Sequence, residues 1–275
     1  MVQTKAVGEV RLRDILAPVR DDLRAFRRHY RRFLRSGSFF IDQVSAYLVR
    51  SRGKELRPAL TLLSARAAGA EGELSERTLT AALVVEMLHT ATLVHDDVVD
   101  RADERRGRPT LNVVFNNKVA VLFGDYMLAR SLEGMLAQRS LEVLDLFSDC
   151  AVRLAKGELN EAIHARTLDL DKPAYFQLVS DKTASLIGAA CQMGPLSLGA
   201  PEEMRAPLRE YGELVGIAFQ IRDDLLDLGD GGRKLGKPTG LDLGQAKLTL
   251  PLIHTLEQLG AGKRREVLRR LKASK

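Results

Sequence analysis

Residues 75–100 constrain this chain more than any other stretch. From Ser75 to Asp100 the sequence reads as one helix of about 25 residues, roughly 38 Å long at 1.5 Å per residue. Its centre, AALVVEMLHTATLV, is apolar on nearly every face, so it belongs in the middle of a bundle rather than on a surface. The rest of the chain agrees. Alternating β-branched runs are missing, and apolar residues recur at helical spacing almost throughout, so the expected fold class is all-α, a bundle of long helices. Turn-rich breaks at RSGS (35–38), GAEGE (69–73), RRGRPT (105–110), LDLDKP (168–173), LGAPEE (198–203) and GDGGRKLGKPTG (229–240) delimit helices without dividing domains. With 275 residues, 45% of them hydrophobic, the chain has enough apolar material for a single domain over residues 1–275.

At the far end of that greasy helix stands LVHDDVVD, and 127 residues further on stands FQIRDDLLD. Asp96, Asp97 and Asp100 thus recur as Asp223, Asp224 and Asp227 with the same internal spacing. On a helix, positions i and i+4 share a face, so Asp96 with Asp100, and Asp223 with Asp227, each present two carboxylates about 6 Å apart. Left alone they repel. Hard cations with oxygen ligands relieve the repulsion, and Mg2+ typically takes one or two carboxylates together with waters and substrate phosphate oxygens. One such cluster could be a solvated helix end. Two copies, each in an apolar frame and each followed by a glycine- and cation-rich loop, point to metal and polyphosphate.

Cations follow both clusters. ERRGRPT supplies Arg105 and Arg106, and KLGKPTG supplies Lys237; elsewhere GKELRP supplies Lys54 and Arg57, SDKTASL supplies Lys182 and Thr183, and GQAKLTLP supplies Lys247. Arginine presents a planar fork to phosphate, while lysine acts as a point charge. The net charge of +6 also suits an anionic partner. The arginine-rich stretch RDDLRAFRRHYRRFLR reads as the solvated face of an outer helix, with Phe26, Tyr30, Phe33 and Leu34 as its apolar side, so no nucleic-acid partner is expected. Cys150 and Cys191 lie in apolar helical surroundings without metal-ligand spacing and read as buried thiols. No apolar signal core opens the chain, and no run approaches about 18 uninterrupted apolar residues; a cytoplasmic location is expected.

Taken together, GKELRP, EMLHTATLVHDDVVD, DERRGRPT, LFGDYMLAR, DKTASLIGAA, FQIRDDLLD, LGKPTGLDL and KLTLPLI, in this order from residue 53 to 253, resemble the trans-isoprenyl diphosphate synthases, the polyprenyl synthetase family. The resemblance implies a helical bundle around a deep cavity, usually homodimeric, with the two aspartate clusters facing each other across its mouth. It implies Mg2+ as cofactor, about three ions per site with substrate bound. It implies that Lys54, Arg57, His89 and Arg106 hold isopentenyl diphosphate. The allylic diphosphate falls to Arg105, Lys182, Thr183, Gln220, Lys237 and Lys247, and to metal on Asp96, Asp100 and Asp223, with Asp97, Asp224 and Asp227 supporting or completing that shell. Asp96, Asp100, Arg105, Lys182 and Asp223 then carry the chemistry, and release of an apolar product implies peripheral contact with a membrane.

The chain departs from the family pattern in three places. A glutamine common after GE is Glu161 in GELNEA, the glycine before the final lysine is Ala246, and the sequence stops earlier than most members. In the family, bulk beneath the first cluster limits product length; here the two decisive positions are Ala91 and Thr92, both small, with Met87, Leu88, Leu132 or Met135 as a deeper floor. A medium- or long-chain all-trans product is expected, with geranylgeranyl or farnesyl diphosphate, or service as a noncatalytic subunit of a heteromeric synthase, as the alternatives. A terpene cyclase would not need GKELRP or ERRGRPT for a second diphosphate.

Overall fold

The computed structural model describes residues 11–51, 53–228 and 247–273. Apart from one hairpin of two two-residue strands these residues are helical or connecting. Short α1 (Leu12–Ile15) leads to α2 (Arg20–Phe33), α3 (Phe39–Arg50), α4 (Leu56–Ala67) and α5 (Glu76–Val99). After β1 (Glu104–Arg105) and β2 (Arg108–Pro109) come α6 (Leu111–Phe115), α7 (Asn117–Leu136), α8 (Leu141–Thr167) and α9 (Lys172–Val179). A π-helical turn, Ser180–Ala184, then joins α9 to α10 (Ser185–Ser197), and α11 (Glu202–Leu228), α12 (Leu250–Gln258) and α13 (Ala261–Ala273) follow.

The chain forms two compact units. One comprises Met1–Asp145 with Ala190–Leu208, the other Leu146–Ala189 with Arg209–Lys275. In the first, α5 is the central element, packed against α7, α4 and α2. Ser75 caps its start by accepting from the Thr78 amide, which satisfies one of the orphan donors there. Leu83, Val84, Met87 and Ala91 are fully buried, as an all-round apolar helix requires. By length and hydropathy α5 could cross a membrane, but 67% of its most apolar window is buried inside the protein, the signature of a core helix. Helix α2 buries Phe26, Tyr30 and Leu34 against this unit and turns most of its arginines outward; Phe33 is covered by the Arg130 guanidinium, 4.3 Å from its ring centre.

The second unit has its own core of Leu168, Leu170, Tyr175, Val179, Leu248, Ile253, Leu256 and Leu271. Its π-helical turn is held from two sides by missing side chains. A Cβ on Gly157 of α8 would stand 2.7 Å from the Lys182 amide nitrogen, and one on Gly216 of α11 would stand 2.5 Å from Ala184 Cα. Only glycine permits both approaches. Arg153 clasps the start of the turn, donating to the Ser180 hydroxyl at 2.9 Å, to the Ser180 carbonyl and to Asp181.

Candidate active site

Helix α5 ends at the first aspartate cluster through its backbone. The Ala102 amide reaches back to the Asp97 carbonyl and the Arg101 amide to Val98, the paired bonds of a Schellman stop, with Arg101 at φ +51°. A tight hairpin follows, whose two central residues, Arg106 and Gly107, both have positive φ, +56° and +73°. Such a turn suits a two-residue loop between antiparallel strands, and here it directs Arg105 and Arg106 in different ways. Arg105 Nε donates to Asp97 at 2.7 Å. Arg106 lies over Gly53, where a Cβ would be 2.6 Å from its guanidinium carbon, and donates to the Ser51 carbonyl.

That contact brings Arg106 to the GKELRP loop. Within the loop Glu55 is buried at φ +51° and accepts from Arg27 Nε at 2.7 Å, so one arginine of the basic helix anchors this segment. Lys54 beside it is exposed. At the second position of α4, Arg57 Nη1 donates to His89 Nε2 at 2.8 Å. An arginine can only donate, so His89 is neutral with its proton on Nδ1. Burial pushes the His89 imidazole well below its usual range, and Arg57, Arg106 and Arg105 push it further. Their shared effect on one ring shows how closely these cations gather. Arg57, Arg105 and Arg106 therefore gather around His89 in the first unit, and the cavity beside them is lined by Tyr47, His89, Asp97, Arg105 and Arg106.

In the first aspartate cluster Asp96 is partly accessible and Asp100 exposed, whereas Asp97 is buried. Burial pushes the Asp97 carboxyl up and Arg105 opposes the shift. The second cluster repeats the division. Asp223 and Asp227 are partly accessible, and Asp224 is buried. Its carboxylate accepts from the Tyr175 hydroxyl at 2.6 Å, from Gln220 Nε2 at 3.0 Å and from the Leu250 amide at 3.2 Å. Gln220 in turn accepts from the Thr183 hydroxyl at 3.0 Å. Thr183, Gln220 and Asp224 are thus one hydrogen-bonded string, which ties the π-helical turn to the cluster.

Lys182, the third residue of that turn, donates to Glu158 at 2.8 Å and to Glu161 at 2.5 Å. Burial by itself would favour a neutral amine, but Glu161 and Glu158 override it and raise the Lys182 ammonium. Burial likewise opposes the charge on Glu161, and Lys182 and Lys247 outweigh it, holding that carboxyl below its usual range. Lys237 and Ala246 lie outside the described residues. Cys150 and Cys191 are buried thiols outside any disulfide; burial pushes the Cys191 thiol up to about 12, so it is inert.

Among the described residues no three His, Cys, Asp or Glu side chains converge into a ready-made metal cage. What each cluster offers is a pair of accessible carboxylates one helical turn apart. That donor set fits Mg2+, which keeps waters and substrate phosphate oxygens in its shell instead of demanding a full protein cage. Tyr175, Glu158, Arg27 and Gly53 escaped the sequence reading. Tyr175 could have been found only as a lone tyrosine in an apolar helix, and Glu158 and Arg27 only as surface-type charges.

The polyprenyl synthetase family model matches residues 39–275. Octaprenyl diphosphate synthase of Escherichia coli (strain K12) is 40% identical over 223 residues, which span 81% of this chain and 68% of that protein. Among solved structures, a decaprenyl diphosphate synthase from Rhodobacter capsulatus aligns with a TM-score of 0.84 at 38% identity, covering 91% of this chain and 77% of that one. A polyprenyl synthase from Caulobacter crescentus CB15, complexed with calcium and isoprenyl diphosphate, aligns with a TM-score of 0.81 at 30% identity, covering 94% and 84%.

Proposed function

Since the chain belongs to the polyprenyl synthetase family and is a trans-prenyltransferase, a polyprenyl diphosphate synthase, we propose that it condenses isopentenyl diphosphate head-to-tail with an allylic diphosphate in a Mg2+-dependent reaction. Its product in this reading is a medium- or long-chain all-trans polyprenyl diphosphate. The observation that carries the proposal is the division common to both aspartate clusters: the middle carboxylate is buried on internal donors, and the outer two, one helical turn apart, are accessible.

Lys54, Arg57, His89 and Arg106 bind the diphosphate of isopentenyl diphosphate and so fix its double bond. Lys182, Thr183, Gln220, Lys237 and Lys247, with Arg105, take the allylic diphosphate, and Asp96, Asp100, Asp223 and Asp227 take metal. Mg2+ held by these carboxylates would supply neutralisation of the charge that grows on the leaving diphosphate. The carbon–oxygen bond of the allylic substrate breaks, leaving an allylic cation and diphosphate. The double bond of isopentenyl diphosphate attacks that cation, and the departing diphosphate accepts the proton whose loss makes the new double bond. Holding both reactants in register is the main contribution of the basic residues.

Both compact units act in this reading as one catalytic domain in a cytoplasmic homodimer. Exposed Val113, Val114, Leu122 and Leu136 on α6 and α7 support a partner protomer, and the apolar product is released at a membrane surface. The long-chain assignment is supported by the octaprenyl and decaprenyl synthases that the chain resembles and by the small, partly accessible Thr92. Incubating the purified protein with Mg2+, labelled isopentenyl diphosphate and a series of allylic primers, then sizing the products, tests it. Products of seven or more isoprene units are expected, whereas a C15 or C20 end point would refute the chain-length assignment, and no transfer with any primer would refute the catalytic one.

A further inference from the structure

Lys182 and Lys247 are two cations that the proposed reaction assigns to the allylic diphosphate, yet an anion already stands between them. One Glu161 carboxylate oxygen lies 2.5 Å from Lys182 Nζ and 4.0 Å from Lys247 Nζ. Glu158 meets Lys182 from another side at 2.8 Å. An ammonium has three N–H groups, and two of Lys182's point at glutamates. Two lysines and two glutamates sum to no net charge, so an arriving diphosphate meets a neutral patch where two bare lysines would have offered a positive one.

We propose that Glu161 is a built-in counter-anion for this half of the site, one that weakens ground-state binding of the allylic diphosphate by competing for Lys182 and Lys247. The proposal rests on the reading of those lysines as diphosphate ligands. A glutamine at 161 would fill nearly the same volume and still accept a bond from Lys182, but it would leave the patch with a positive charge. Lys182 would not be set adrift by that change, because Glu158 also anchors it and the glycine-flanked turn fixes its backbone. All four side chains are about a quarter to a third exposed; charges so partly withdrawn from water act more strongly on one another than surface charges do. Glu161 is thus a positioning and affinity-setting residue that acts through Lys182.

The test uses the full chain and inorganic diphosphate with Mg2+ as the probe. Titration calorimetry of Glu161→Gln should show magnesium diphosphate binding about tenfold tighter than in the unmodified protein. The KM for the allylic substrate should fall by a similar factor, that for isopentenyl diphosphate should stay constant, and kcat should not rise. Glu161→Asp keeps the charge and should keep the original affinity. Equal or weaker binding by Glu161→Gln overturns the proposal, and so does loss of the fold in Glu161→Gln but not in Glu161→Asp, which would make the carboxylate structural. Lys182→Ala separates the layers: if it leaves diphosphate affinity intact, the assignment of Lys182 falls first, and the counter-anion falls with it.

Discussion

The Tyr175 hydroxyl donates to Asp224 across 2.6 Å, and both residues are 3% exposed. Asp224 is therefore a carboxylate that the second unit has fully enclosed, while its neighbours Asp223 and Asp227 remain accessible. Tyr175→Phe should lower stability by about 1–3 kcal/mol, the cost of a buried charge short of one donor, read as a fall in the midpoint of denaturant unfolding. Asp223→Ala and Asp96→Ala should instead keep the fold and cut turnover by orders of magnitude. If Asp224 were the working metal ligand, the pattern would reverse, with Asp223→Ala nearly silent.

Arg57 and Lys182 belong to different basic clusters, one packed on His89 and the other on Glu158 and Glu161. Arg57→Ala should chiefly raise the KM for isopentenyl diphosphate, and Lys182→Ala that for the allylic substrate. Steady-state kinetics with each substrate varied in turn will show it; equal effects on both constants in both variants would dissolve the division of the two diphosphates.

His89 makes the folded protein sensitive to mild acid. Its folded pKa lies well below the ordinary histidine value of about 6.5, so above about pH 6.5 both folded and unfolded states hold it neutral and the stability is fully present. As pH falls below that, the unfolded chain takes up the proton first and stability drains away until the folded pKa is reached, by at most about 1.4 kcal/mol per pH unit. His89→Gln should flatten this part of the curve of unfolding midpoint against pH between about 7 and 5. An unchanged slope would mean that the acid sensitivity lies elsewhere.

The two small residues beneath the first cluster have different surroundings. Ala91 is 0% exposed, while Thr92 keeps open surface and donates its hydroxyl to the His89 carbonyl. Both positions were expected to line the product's path; burial leaves that role to Thr92. Thr92→Phe should yield products several isoprene units shorter with the first condensation preserved, as sized by chromatography. Ala91→Phe should overpack the core and cost about 1–3 kcal/mol. Shortened products from a fully stable Ala91→Phe protein would restore the original expectation.

Periodicity and spacing alone determined a good deal. An apolar face all round α5 rules out a surface helix, and aspartates at i, i+1 and i+4 must put the first and third on one face. Both follow from helix geometry within a few residues, so no tertiary information was needed. The basic residues were legible only through motif order, because nothing local tells a phosphate-binding lysine from a surface one. Tertiary structure decided which side chain is spent on which partner. The middle aspartates went to Arg105 and Tyr175, Arg27 went to Glu55, and Lys182 went to Glu158 and Glu161. The close approaches over Gly53, Gly157 and Gly216 were decided there too. Each joins residues distant in sequence, and whether a charge stays free for substrate or is consumed inside the protein depends on the donor or acceptor that folding brings within 3 Å of it.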